Sequence, residues 1–354
     1  MSCRIWEEFS FRPRILRDIL TSEGVQINAL NSCNVISPKN TLSQHPVPWL
    51  LLRRNQPNDP GRIARKVFLL CLLSLLGSCA PTSQIGESKS TLWRVQGDHN
   101  RVYLLGSIHV LSKQAYPLKP ALEQAYDDAQ EVVFEIDLTR FTKKSFKEEF
   151  SRTAIYPFGQ SLSKKLSPQT IELLNRVLPL YGLSLKEIEH LKPWFVAEAL
   201  SSRTLQLAGF SDRLGIDLYF YHKAKAAGKP VLGLESLRDQ AEIFDRFNDE
   251  QNEQYLLSTL SGLPAYAEMI RQLVNAWRDG DVESLDRLLN QDQKADPATH
   301  DVLFSRRNSK WVPEIERFAH GDANYLIIVG AGHLVGVDGV VAQLRRAGYS
   351  VQQL

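Results

Sequence analysis

A chain of 354 residues is long for one domain and short for three, and 43% apolar with 23% charged residues is the composition of a globular protein with a real core. The formal net charge is +2, but residues 1–79 hold 10 Lys and Arg against 5 Asp and Glu, leaving 32 against 35 for residues 80–354. The later part is mildly acidic, which argues against nucleic acid as a partner. The four cysteines, Cys3, Cys33, Cys71 and Cys79, all lie in the first part, so the rest of the chain can form no internal disulfide, thiolate nucleophile or Cys-rich zinc site.

In chain order, residues 1–61 show little periodicity and many prolines, and are expected to be a non-native or disordered extension, with translation starting near residues 47–63, at Val47 or Leu51. Arg62, Arg65 and Lys66 then precede the apolar run Val67 to Leu76, which is too short to span a hydrocarbon core of roughly 30 Å. With Gly77, Ser78 and Cys79 it reads as a lipoprotein signal peptide (62–78). Cys79 is the expected site of acylation, palmitate included, and residues 79–90 are a polar tether. The expected location is the periplasmic face of a bacterial envelope, held to the membrane by lipid. Ala80 is not the Asp associated with inner-membrane retention, which favours the outer membrane in a Gram-negative cell.

Residues 91–354 read as one domain. Thr91 to Gln96 and Arg101 to Gly106 form a hairpin around Gly97-Asp-His-Asn100. Leu118 to Ala129 is a helix and Glu131 to Leu138 a strand. Ser167-Pro168 and Pro193 open helices, and Gly228 closes another that starts at Asp212 or Gly215. Lys229 to Glu235 is a strand, and residues 236–320 are mostly helical, with breaks expected at Gly262-Leu-Pro264, Gly280 and Pro297. Ala323 to Val329 is a buried strand, followed by a helix within Gly336 to Gly348 and a final strand from Tyr349. The pattern predicts an α/β fold: a mixed central sheet flanked by helices, with a large helical insertion.

The sharpest chemical feature is an internal echo. Gly106-Ser-Ile-His109 follows one apolar strand and Gly330-Ala-Gly-His333 follows another. Ligands bind outside the carboxyl ends of strands in open sheets, so two imidazoles converge there if the strands are neighbours. Glu135, Asp137 or Glu235, each at a strand end, could add a carboxylate, and such a set suits a divalent ion of the zinc, manganese or cobalt class that activates water, with a Glu as general base. Arg307 could stabilise developing negative charge, although an exposed surface Arg is the default for its polar helical segment. Asp217 is either a ligand or a first-turn carboxylate favoured by the helix dipole. His190, His222, His300 and His320 are expected to be solvated.

Val102-Tyr-Leu-Leu-Gly-Ser-Ile-His109, Val133-Phe-Glu-Ile-Asp137, Leu214-Gly-Ile-Asp217, Gly228-Lys-Pro-Val-Leu-Gly-Leu-Glu235, Arg307-Asn-Ser-Lys-Trp311 and Val329-Gly-Ala-Gly-His-Leu334 together resemble the TraB/GumN family over residues 91–354. The resemblance implies the fold shared by Tiki proteins, erythromycin esterases and haem-binding lipoproteins. Tiki proteins are metal-dependent proteases with the same two motifs. It therefore implies His109, His333 and Glu135 as metal or water-activating residues, with Asp217, Glu235, Arg307 and Asn308 at further recurrent positions. The reading is a lipid-anchored, metal-dependent hydrolase, a peptidase among the options. Its substrate is a peptide or small molecule, and Arg307 acts on the oxyanion. The alternative is a non-catalytic envelope lipoprotein that presents the same cleft to haem, metal or peptide.

Overall fold

The computed structural model describes residues 89–140, 142–290 and 296–354. The extension, the signal segment, Cys79 and all but the end of the tether lie outside them. Ser90 is already fixed: it is buried, and its carbonyl accepts from Gln353 Nε2 at 3.0 Å.

Among the described residues six strands form one mixed sheet: β1 (Leu92–Gln96), β2 (Arg101–Ser107), β3 (Glu131–Ile136), β4 (Val231–Glu235), β5 (Tyr325–Gly330) and β6 (Val351–Gln353), in the order β4-β3-β5-β2-β1-β6. β1 is antiparallel to both β2 and β6, as a hairpin and a return strand require. β4, β3, β5 and β2 are mutually parallel. The residues of β3, β5 and β2 are nearly continuous apolar runs, Tyr103-Leu-Leu and Leu326-Ile-Ile-Val among them, as expected of strands covered on both faces, while β4 at the edge is half-buried. The last long strand, β5, inserts between β2 and β3, so segments distant in the chain share one end of the sheet. Ser107 pairs with Gly330, Phe134 with Ile328, and Ile136 with Glu235.

The helices follow the sequence signals closely at their ends. α1 (Pro120–Asp128) starts with Pro at its first position, α2 (Pro193–Leu207) likewise, and α3 (Ile216–Ala227) ends on Gly228 at φ 67°. The break expected at Gly262-Leu-Pro264 does not occur: α4 runs from Asp249 to Asp279 through Pro264. Proline in a helix interior costs about 3 kcal/mol. Pro264 is exposed, while Leu256, Leu260, Leu263, Ile270 and Leu273 are buried along the same helix, each worth about 1.5–3 kcal/mol of burial, so packing wins. The breaks at Gly280 and Pro297 do occur. Downstream lie α5 (Arg306–Ala319), preceded by a π-helical stretch at Asp301–Ser305, the single turn α6 (Ala331–Leu334), and α7 (Val340–Arg346).

Two cores result. One covers the sheet and includes Leu104, Phe134, Phe220, Trp311 and Ile327. The other belongs to the helical insertions on either side of β4, where Trp194 stacks on Phe244 at 4.4 Å and α2 packs along α4.

Candidate active site

The parallel strands deliver His109, Glu135, Glu235 and His333 to one end of the sheet. Glu135 lies between Phe134 and Ile136 on β3, is buried, and reaches sideways to β5: its Oε1 accepts from the Gly330 backbone N–H at 2.8 Å. Its Oε2 accepts from Arg307 Nη2 at 2.7 Å and from Gln240 Nε2 at 3.0 Å. Arg307 comes from the first turn of α5 and is not on the surface. Only 12% of its side chain is exposed, because two carboxylates and an indole compensate its burial. It donates to Glu235 through Nη2 at 2.6 Å and Nε at 3.2 Å, to the Leu303 carbonyl at 3.2 Å, and lies over the Trp311 ring at 4.7 Å.

The same guanidinium fixes the tautomer of His333. Arg307 Nη1 can only donate, so His333 Nε2, 2.9 Å away, accepts. Nδ1 then carries the proton and donates to Asn308 Oδ1 at 2.7 Å, while Asn308 Nδ2 donates to the Asp338 carbonyl at 3.0 Å. His109 is held differently. Gly215 packs so tightly on the turn after β2 that a Cβ there would stand 2.2 Å from the His109 carbonyl oxygen. That approach starts α3 beside His109, and Asp217, in its first turn, meets His109 Nδ1 at 2.8 Å. The carboxylate fixes Nδ1–H, and Nε2 faces Gly330.

Gly330 is the meeting point. A Cβ on it would lie 3.3 Å from Glu135 Oε1, 3.6 Å from His109 Nε2 and 3.6 Å from His333 Cδ2. Any larger residue would fill the space the three groups share. The point opens into a cavity of about 330 Å³ lined by these residues, Gln240 and the inner faces of α2 and α4, a volume that suits a small ligand.

The electrostatics divide the four groups. Burial opposes the charge of Glu135, but the Arg307 guanidinium outweighs it and holds the carboxyl well below its ordinary value. Burial raises Glu235; Arg307 offsets this only in part, Glu135 repels, and the carboxyl ends above its usual value. Burial and Arg307 together push His333 well down. Burial also lowers His109, but Asp217, by charge and hydrogen bond, reverses it and leaves the imidazole raised.

Of the sequence candidates, His109, Glu135, Glu235, Arg307 and His333 line or touch this centre, and Asp217 and Asn308 stand behind the two histidines. Asp137 is not part of it: the carboxylate accepts from Thr139 and pairs with Arg140. His222 and His320 are exposed; His190 and His300 are half-buried, the latter stacked on Phe304 at 5.1 Å. Gln240, which bridges Glu135 and Glu235, was not signalled in the sequence, since a polar residue in a short helix after β4 reads as surface.

The TraB/PrgY/gumN family model matches residues 91–353, and the chain belongs to that family. Among its relatives, YbaP of Escherichia coli (strain K12) is 25% identical, covering 69% of this chain and 87% of that one. A Treponema pallidum protein is 22% identical over 79% and 87%. A protein named Metalloprotease TIKI1 from Danio rerio is 21% identical over 86% of this chain and 68% of its own. No solved structure matches.

Arg307 decides whether these residues suit a divalent ion. Two of the expected ligands, Glu135 and His333, already turn atoms to the guanidinium at 2.7 and 2.9 Å. Among the described residues no group of three or more His, Cys, Asp or Glu is set to hold a metal ion. In this arrangement a protein cation occupies the position of positive charge, and Glu135 and His333 would have to leave it to bind an ion.

Proposed function

We propose that the chain is a hydrolase whose reacting point lies beside Gly330, with His109 as general base and Arg307 as the oxyanion-stabilising cation. The observation that carries this reading is the convergence of His109 Nε2 and Glu135 Oε1 on Gly330, within one cavity that Arg307 also lines. His109 Nε2 takes a proton from water as the water oxygen attacks a carbonyl carbon. Asp217 stabilises the imidazolium that forms, and the negative charge gathering on the carbonyl oxygen lies in the field of the guanidinium, whose five N–H groups stay with Glu135, Glu235, His333 and the Leu303 carbonyl. The imidazolium then returns its proton to the leaving group as the carbon–heteroatom bond breaks. Glu135 is a poor base, since both its oxygens accept hydrogen bonds and its affinity for protons is low; it positions Arg307 and the Gly330 backbone.

The test is to incubate the full chain with a mixed pool of peptides, arylamides and esters and read the products by mass spectrometry. The expected result is cleavage that is lost in His109→Gln. A wild-type protein that leaves the entire pool intact overturns the reading.

A second reading makes the same centre metal-dependent, with an ion of the zinc, manganese or cobalt class on His109, His333 and Glu135. It is favoured by the way both imidazoles are anchored through Nδ1 by Asp217 and Asn308, as metal-binding histidines are, and by the likeness to the protein named Metalloprotease TIKI1. It requires Arg307 to release His333. Stoichiometric metal in protein purified without chelator, lost in a His109→Ala/His333→Ala variant, favours this second reading; turnover unchanged in EDTA favours the first. Acylation at Cys79, which sets this activity on a bacterial envelope membrane, predicts incorporation of labelled palmitate that a Cys79→Ala variant lacks.

A further inference from the structure

The cavity that opens at Gly330 carries a second polar pole that this chemistry does not use. Glu198 projects into it from α2, and Tyr255 and Tyr266 project from α4. The two tyrosines are eleven positions apart, three turns at 3.6 residues each, and so share one face of the long helix. Tyr255 donates its phenol proton to Glu198 Oε1. Tyr266 is half-buried, and desolvation together with the same carboxylate raises its phenol well above the ordinary value. Among the described residues no Lys, Arg or His pairs with Glu198. A carboxylate facing a cavity walled by Leu205, Phe244, Ile270, Leu273 and Phe304 lacks the counter-charge that such surroundings favour. Nearer the reacting point two further atoms of the cavity wall have no hydrogen-bond partner among the described residues: Ser107 Oγ and Gln240 Oε1, on residues only 2% and 4% exposed. Buried polar atoms of this kind are normally satisfied, so both point to a ligand that supplies polar hydrogen and acceptor groups.

We infer that Glu198, with Tyr255 and Tyr266, forms a subsite for a primary ammonium group, and that the substrate is an amide carrying a free amine on an apolar stem. The ammonium donates to Glu198 and lies against the tyrosine rings, as cations do in aromatic sites. The stem fills the apolar walls. The amide N–H donates to Gln240 Oε1 and its carbonyl takes the Ser107 hydroxyl proton, beside His109 and Arg307. Peptides with an unblocked amino terminus or a lysine side chain have this chemistry. The inference rests on the hydrolase reading for the word substrate, but not for the subsite itself.

The experiment is therefore a binding measurement on the full chain, by calorimetry, with n-hexylamine and 1-hexanol at pH 7.5. The expected result is at least tenfold tighter binding of the amine. Glu198→Gln abolishes that preference. Equal affinities in the wild type overturn the inference, whatever the folding of the variant, and so does a preference that survives in folded Glu198→Gln. A preference for the amine in a protein that cleaves no amide leaves the subsite standing and removes only the hydrolase reading. With turnover in hand, acetylating the amine of a cleaved substrate is expected to lower kcat/KM by tenfold or more in the wild type and to change it little in Glu198→Gln.

Discussion

The two Gly-x-x-His segments begin alike and end in opposite states. Both leave neighbouring parallel strands, β2 and β5, at paired positions Ser107 and Gly330. The first then passes into an open turn, and 36% of the His109 side chain is exposed. The second winds into the single turn α6, and His333 is 5% exposed between Trp311 and Phe304, with ring centroids at 4.5 and 5.0 Å. An aspartate stands behind the first ring, and an asparagine behind the second with a guanidinium in front. The first imidazole gains affinity for protons and the second loses it. The strand frame determines where a histidine stands; its hydrogen-bond partners determine what it can do. The first is equipped to exchange protons with a substrate, and the second to stay neutral and hold a charged neighbour in place.

The comparison breaks most visibly at Arg307, the group that treats the two rings differently. Arg307→Met leaves Glu135 and Glu235 buried without their shared cation, a change expected to cost about 3–5 kcal/mol, read as a lower urea midpoint at pH 7.5. In the wild type the Glu135 carboxyl is depressed, so its contribution is present above the unfolded value and is lost as pH falls. In the variant both carboxyls are raised, the folded state binds more protons than the unfolded, and the deficit narrows between pH 7.5 and pH 5. A deficit that widens on acidification would contradict this account of the triad. Next in size, His109→Gln is expected to reduce turnover by about 10²–10⁴-fold with a stability change under about 1 kcal/mol, because the ring is partly exposed and Gln can still donate to Asp217. His333→Gln is expected to do the converse and cost about 1–3 kcal/mol of stability, since it disturbs a buried network. If urea curves and rates move together in both variants, the division of labour between the rings is wrong.

Much of this frame was legible in the residues. Apolar runs ending in Gly and His located β2 and β5, and the alternation of strands with helices anticipated the mixed sheet and its helical insertions. Parallel pairing could not be read locally, because nothing in Tyr325-Leu-Ile-Ile-Val says that it will lie between β2 and β3. Arg307 illustrates the same limit. Its neighbours in sequence, Arg306 and Ser309, are exposed, and only the placement of two strands elsewhere supplies the carboxylates that allow its burial. Pro264 shows the reverse case, a strong local signal for a break overruled by the apolar face that α4 buries. Glu198 and Gln240 gave no signal, since their significance comes wholly from the cavity they line.

The finest test of the contrast leaves both histidines in place and changes only what stands behind the first. Asp217→Asn removes the charge that raises His109 and preserves a side chain of the same size in the first turn of α3. The base must be unprotonated to act, so the acidic limb of the pH profile of kcat/KM reports its affinity for protons. Without the carboxylate the burial effect prevails, and the limb is expected to move to lower pH by about 1 unit or more. The plateau falls as well, though less than in His109→Gln, because the imidazolium formed during attack loses its stabilising partner while the base itself remains. The equivalent change behind the second ring, Asn308→Ala, is expected to leave the limb where it is, since His333 stays neutral across this range with or without its amide partner. A limb that shifts in Asn308→Ala and stands still in Asp217→Asn would exchange the roles assigned to the two rings.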